Sequence, residues 1–203
     1  MKTKLLTLAI ISIFTFVFGD VKTQQVTEGK SKIIVMFGNS ITNQGKWEEL
    51  LGRQDVLNWG IPGYATGQLI WTIKNVLHDH PGTKIWFLEG GINDITLGVP
   101  AKKIFSNYKI IVDSLKKNHI IPVVQSTILK VGAKEDNQEV AKLNKLVKNY
   151  CIKNNIDYID LNAFLSKNGE LMKELSIDGT HLKPDAYKPW TESVKKILSK
   201  YNL

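Results

Sequence analysis

Short apolar runs, each followed by a longer stretch with apolar residues at helical spacing, recur along this chain and restrict its fold more than any other feature. Ile33 to Phe37 is an apolar run closed by Gly38, the pattern of a strand buried on both faces. Asp55 to Trp59, Lys84 to Leu88, Ile120 to Gln125 and Tyr158 to Leu161 read as four further strands. Between them, Leu69, Ile70, Ile73, Val76 and Leu77 recur at helical spacing until Pro81. So do Ile104, Phe105, Tyr108, Ile111, Val112 and Leu115, and then Val140, Leu143, Val147 and Cys151. A last helix is expected from Pro184, a residue suited to a first helical turn. Strands alternating with helices imply parallel pairing through βαβ units and helices on both faces of one sheet. The expected fold is α/β: a three-layer α/β/α sandwich with a flavodoxin-like five-stranded parallel sheet, order 2-1-3-4-5. Sites in such sheets lie beyond the carboxyl ends of the strands, where the order reverses.

The 203 residues suffice for one domain, and 43% hydrophobic with 23% charged residues is ordinary for a globular chain. Residues 1–19 are expected to be a signal peptide. Lys2 and Lys4 precede an apolar run from Leu5 to Phe18, and Gly19 and Asp20 follow. That run is short for a membrane span, so no stable membrane insertion is expected after cleavage, and the location is secreted or periplasmic. Residues 20–31 read as a polar leader and residues 32–203 as the folded domain. Cleavage removes two lysines and lowers the net charge from +8 to +6. The other lysines fall on predicted wet helix faces without an aromatic-basic module, so no nucleic-acid partner is expected. Cys151, the single cysteine, lies on an apolar stripe and reads as a small buried residue.

Four segments stand apart, the first three in loops after the first, second and third strands: Gly38-Asn39-Ser40-Ile41-Thr42, Asn58 to Tyr64, and Glu89-Gly90-Gly91-Ile92-Asn93-Asp94. The fourth is Asp178-Gly179-Thr180-His181-Leu182 near the C-terminus. Each has a bland reading. Ser40 could cap a helix, the glycines could serve turns, Asn93-Asp94 could close a turn, and Asp178 could be a cap. Acyl transfer explains all four together. A serine hydroxyl needs a base to become a nucleophile. His181 is the best candidate base: Asp178 lies three residues earlier, within reach of its Nδ1, whereas His78, His80 and His119 have no comparable setting. Oxyanion donors are available in the backbone N–H of Ser40, the N–H of Gly63 and the Asn93 amide.

Rival chemistries fit less well. Gly38 to Trp47 does not match a phosphate loop, and Gly60, Gly63 and Gly67 do not form a dinucleotide fingerprint. His78-x-His80 lacks a third ligand at familiar spacing, so no metal and no cofactor is expected.

The four segments resemble the blocks of the SGNH hydrolases, also called GDSL esterases, and span about Ile33 to Tyr187. The resemblance implies Ser40 as nucleophile, Asp178 and His181 as the rest of a triad, and Ser40, Gly63 and Asn93 as the oxyanion hole. Gly63 is favoured over Gly60 because Asn58-x-x-Ile61-x-Gly63 fits the family spacing. The family's first block usually carries aspartate where this chain has Asn39. Asparagine keeps the hydrogen-bonding shape and loses a charge. Asn39, Trp59 and Tyr64 are taken as substrate-binding residues, the two aromatics as faces for sugar rings.

The expected substrate is a small-molecule or glycan ester with a short acyl group, chiefly O-acetyl on carbohydrate. About 184 residues remain after the leader, nearly all claimed by sheet and helices, which leaves little for a lid over a long acyl chain. The alternative is a lipid-directed acylhydrolase of lysophospholipase or thioesterase type. A non-catalytic carbohydrate-binding relative is disfavoured by the intact Ser40, Asp178 and His181.

Overall fold

A computed structural model describes residues 32–203; the expected signal peptide and the polar leader lie outside the described residues. Five parallel strands form the sheet: β1 (Ile34–Gly38), β2 (Val56–Gly60), β3 (Ile85–Leu88), β4 (Ile121–Gln125) and β5 (Asp157–Ile159). Their order is β2-β1-β3-β4-β5, as the alternating pattern predicts. β1, between β2 and β3, is buried along its whole length. That is why it reads as an unbroken apolar run. The edge strand β2 is buried only at its ends.

Crossover helices follow the apolar stripes. α3 (Thr66–Asp79), α5 (Ala101–Lys117) and α6 (Lys134–Lys153) pack in sequence on one another. α8 (Tyr187–Lys200), entered through a 3₁₀ turn at Pro184–Ala186, packs with α2 (Trp47–Leu51). Trp47, Tyr187 and Trp190 lock that contact. Trp47 meets Trp190 edge-on at 4.9 Å, and Tyr187 stacks on Trp190 at 5.6 Å. Cys151 is fully buried, as its place on the stripe predicts.

Several elements are too short for periodicity to reveal. These are α1 (Ser40–Asn43), α2, α4 (Ile92–Thr96), α7 (Asn162–Leu165), and a hairpin of β6 (Ser166–Lys167) with β7 (Glu170–Leu171). α1 and α4 follow the carboxyl ends of β1 and β3, the two central strands at which the order reverses.

α1 lies against the end of β2 with no side chain between them. A Cβ on Gly60 would come 2.2 Å from the Asn43 nitrogen and 2.8 Å from the Asn39 oxygen, both backbone atoms. On Gly63 it would meet nothing, leaving only the strain of φ +78°. Gly60→Ala is therefore expected to lower stability by about 1–3 kcal/mol through a forced backbone shift, and by more than Gly63→Ala. Urea unfolding of both variants checks the order.

Candidate active site

Asn39 follows β1 and caps α1. Its Oδ1 accepts from the Ile41 N–H at 2.8 Å, and its backbone is extended, as a helix cap requires. The cap is thus Asn39, and Ser40 is the first helical residue, its hydroxyl free for other work. This removes the bland reading of Ser40 and corrects the reading of Asn39. Ser40 is not the cap, and Asn39 is not a substrate-contacting residue, because it is wholly buried and committed to the turn. Two aromatic residues hold the turn from below. The Tyr187 hydroxyl donates to the Ile41 carbonyl at 2.7 Å, and Trp47 Nε1 to the Thr42 carbonyl at 2.8 Å.

Ser40 Oγ lies 2.9 Å from His181 Nε2, across 141 residues of sequence. His181 Nδ1 lies 2.6 Å from Asp178 Oδ2. With the Nδ1 proton shared with Asp178, Nε2 is left to accept from the serine hydroxyl, the tautomer a general base needs. Asp178 Oδ1 also accepts from the His181 and Thr180 backbone N–H groups, at 2.8 and 2.9 Å. Those backbone bonds, with the His181 ring, hold the Asp178 carboxyl well below the usual carboxylate range. It is a fixed charge at any working pH.

The loop bearing both residues is pinned by Ser176, which sequence reasoning missed. Its buried hydroxyl accepts from the Gly179 N–H at 2.8 Å and donates to the His181 carbonyl at 3.1 Å. The Ile177 N–H also donates to the His181 carbonyl, and the Val131 N–H to the Gly179 carbonyl. Gly132, next to Val131, donates to Glu170 on the β6–β7 hairpin. The only sequence signal was proximity to the Asp-x-x-His segment.

The expected oxyanion donors lie at or just beyond the carboxyl ends of β1, β2 and β3. Among the described residues the backbone N–H groups of Ser40 and Gly63 have no hydrogen-bond partner. Asn93 Nδ2 donates to the Tyr64 carbonyl at 2.9 Å, which leaves its second N–H for a ligand. One amide thus ties the Gly63 loop to α4 and offers a donor. Asp94 strengthens the tie: its buried carboxylate accepts from the Thr66 N–H at 2.8 Å and hydroxyl at 2.6 Å. Burial raises its pKa against those bonds. Tyr64 is half-buried beside this loop and packs on the core. Trp59 does not face the site as expected. Its ring packs edge-on to His80, at the far end of α3, with centroids 6.5 Å apart, because the outer face of an edge strand needs apolar cover.

The sequence pattern of the GDSL-like Lipase/Acylhydrolase family matches residues 36–188. The chain is 31% identical over 103 residues to an N-acylneuraminate cytidylyltransferase of Streptococcus agalactiae. That match covers 49% of this chain, which spans about a quarter of the relative's length (24%). In fold it resembles a GDSL-like lipase from Bacteroides thetaiotaomicron, with TM-score 0.75 and 19% identity over 85% of this chain and 90% of that one. It also resembles an acetyl xylan esterase, with TM-score 0.65 and 19% identity over 81% and 98%.

If the Asn93 amide meets a developing oxyanion, Asn93→Ala lowers kcat for ester hydrolysis by roughly 10²–10³. A lower thermal midpoint with near-normal kcat would instead reduce Asn93 to a loop tie. Both quantities are measured on one preparation.

Proposed function

The chain belongs to the GDSL-like lipase/acylhydrolase family, and from that premise we propose that it is a serine ester hydrolase acting through Ser40, His181 and Asp178. One observation carries this reading: an unbroken relay from Ser40 Oγ through His181 to Asp178, at 2.9 and 2.6 Å. Ser40 attacks the acyl carbonyl while His181 Nε2 takes its proton and later gives it to the leaving alcohol. The Ser40 and Gly63 N–H groups and the Asn93 amide stabilise the tetrahedral oxyanion. Water then repeats the sequence on the acyl-enzyme, with His181 again as base. No step requires a metal or cofactor.

The substrate we propose is a short acyl ester, chiefly O-acetyl on a carbohydrate, met outside the cytoplasm after export through the signal peptide. Three points support it. Ser40 and His181 are partly open to solvent, and Gly63 is exposed. Among the described residues the additions to the core are the β6–β7 hairpin and short turns, too small to shield a long chain. The curated relative acts on N-acylneuraminate, an acylated sugar, and one fold neighbour is an acetyl xylan esterase. One feature favours the lipid-directed alternative: a groove of about 600 Å³ beside the catalytic loop, lined by Leu50, Ile177, Leu182, Pro184 and Tyr187 among others.

Ser40→Ala is expected to abolish hydrolysis with the fold intact, and a fluorophosphonate probe to label the wild type at Ser40 alone. Persistent labelling of the variant would refute the nucleophile. Among p-nitrophenyl esters the acetate should be preferred; preference for octanoate or palmitate would overturn the acetyl reading in favour of lipid. The acid side of the profile should show no step from Asp178, which stays ionised. A pH-rate profile of kcat/KM tests this.

A further inference from the structure

Directly beneath the nucleophile turn lies a carboxyl group for which the relay has no use. Glu89 follows β3 and is 0% exposed. Its Oε2 has one hydrogen bond, a long one of 3.3 Å from the Thr42 hydroxyl, and its Oε1 has none. Two buried amide nitrogens are also without a partner: Nδ2 of Asn39, the residue that caps α1, and Nε2 of Gln125 on β4. β3 pairs with β4 at Leu88 and Val124, so the next residues, Glu89 and Gln125, are neighbours. From the nucleophile turn, Thr42 donates to the carboxyl and the Asn39 amide lies beside it.

The groups facing Glu89 are uncharged. Asn39 and Thr42 meet it from the β1–α1 turn, and Gln125 adjoins it on β4. Tyr108 of α5 and Tyr187 of α8 lie close enough to feel its charge, and burial, with Glu89 second, raises both phenols. Their hydroxyls are engaged elsewhere, on the Gly90 and Ile41 carbonyls. No lysine, arginine or histidine among the described residues hydrogen-bonds the carboxyl. An ionised carboxylate in a dry site needs a cation or several short donors. Glu89 has neither.

We propose that Glu89 is a positioning residue for Ser40, held as an uncharged acid beneath the nucleophile turn, and that its ionisation unseats the turn and closes activity on the alkaline side. The proposal rests on Ser40 being the nucleophile. Desolvation pushes the Glu89 carboxyl up to about 8, with the nearby Thr42 hydroxyl and Asn39 amide opposing the shift. Asparagine at position 39 belongs to the same device. An aspartate there would set a second carboxyl beside Glu89 in one dry site, where like charges cannot both ionise cheaply. Asparagine presents an amide instead. Once charged, Glu89 must draw in water or turn towards it, and Thr42 and the Asn39 cap move with it. A misplacement of about 1 Å at the reacting atoms can cost on the order of 10² in rate.

The test is the pH profile of kcat/KM for p-nitrophenyl acetate, from about pH 5 to pH 10, on wild type and Glu89→Gln, with thermal midpoints at each pH. Wild type should lose activity through about pH 8. Glu89→Gln, neutral at every pH, should keep its activity there. Stability gives a second readout. Between 4.5 and about 8 the folded state holds a proton that the unfolded chain has released, so stability falls as pH rises across that window. Glu89→Gln should flatten the fall. An unchanged alkaline limb and an unchanged slope of midpoint against pH would overturn the proposal. So would a folded Glu89→Gln variant inactive at neutral pH, which would show that the carboxylate charge is needed. If the variant does not fold, infrared spectra of wild type decide. A protonated-carboxyl band that fades through about pH 8 supports the proposal, and no such band at neutral pH overturns it. If wild type hydrolyses no ester, the hydrolase reading fails, and the stability and infrared measurements still judge Glu89.

Discussion

The backbone of α1 rests directly on the ends of two neighbouring strands, and the rest of the site depends on that contact. A Cβ on Gly38 would come 2.4 Å from the Glu89 carbonyl and 2.3 Å from the Thr42 hydroxyl. Gly60 closes the other side against Asn39 and Asn43. With side chains absent at both points, the nucleophile turn takes its position from sheet register, which is rigid, and not from its own loop. Asn58 adds to this by donating from one amide to the Asn43 and Gly45 carbonyls while accepting from the Gly60 N–H. The aromatic cluster of Trp47, Tyr187 and Trp190 then ties the turn to α8. Ser40 is thereby placed on a closely packed turn, a setting in which a reacting group loses little to motion.

The base is held differently. Asp178 and His181 sit on a loop with little apolar cover, and polar bonds do the holding. Ser176 and the backbone contact to Val131 each fix one point of it, and the hairpin residue Glu170 holds Gly132 next to Val131. Asp178 is half-exposed, so its charge is partly screened, and its value lies in orienting the ring more than in field strength. In the mechanism proposed above, a rigid Ser40 facing a braced but solvent-open His181 suits hydrolysis, which must admit water after the first acyl transfer.

The oxyanion side shows how one polar group can serve two ends. Asn93 ties the Gly63 loop through Tyr64, and Asp94 ties α3 to α4 through Thr66, which Asn107 also holds. The proposed donors Gly63 and Asn93 therefore come from separate strand-end loops but share one hydrogen-bonded frame. That frame is preorganised before any substrate arrives, the condition for electrostatic stabilisation of a developing charge.

The five strands of the main sheet, the helix faces and the sheet order follow from the sequence alone, because the periodicity of apolar residues reports which side of a local element is buried. The catalytic segments were legible for a related reason. Asp178 and His181 lie three residues apart, so their pairing needs only a local turn, and Ser40 follows the most apolar strand. What a side chain at a strand end touches is another matter, since it depends on residues far away in the chain. Asn39 became a buried cap because Ile41, Thr42 and Glu89 close around it, and Trp59 turned from the site because the edge of β2 lies open beside His80. The short helices α1, α2 and α4 are too brief to show a period and exist through tertiary contacts. Ser176 carries no sequence signal beyond its neighbourhood. The meeting of Ser40 with His181 across 141 residues belongs to the folded chain, because only packing of the C-terminal loop against the end of β1 can bring hydroxyl and imidazole together.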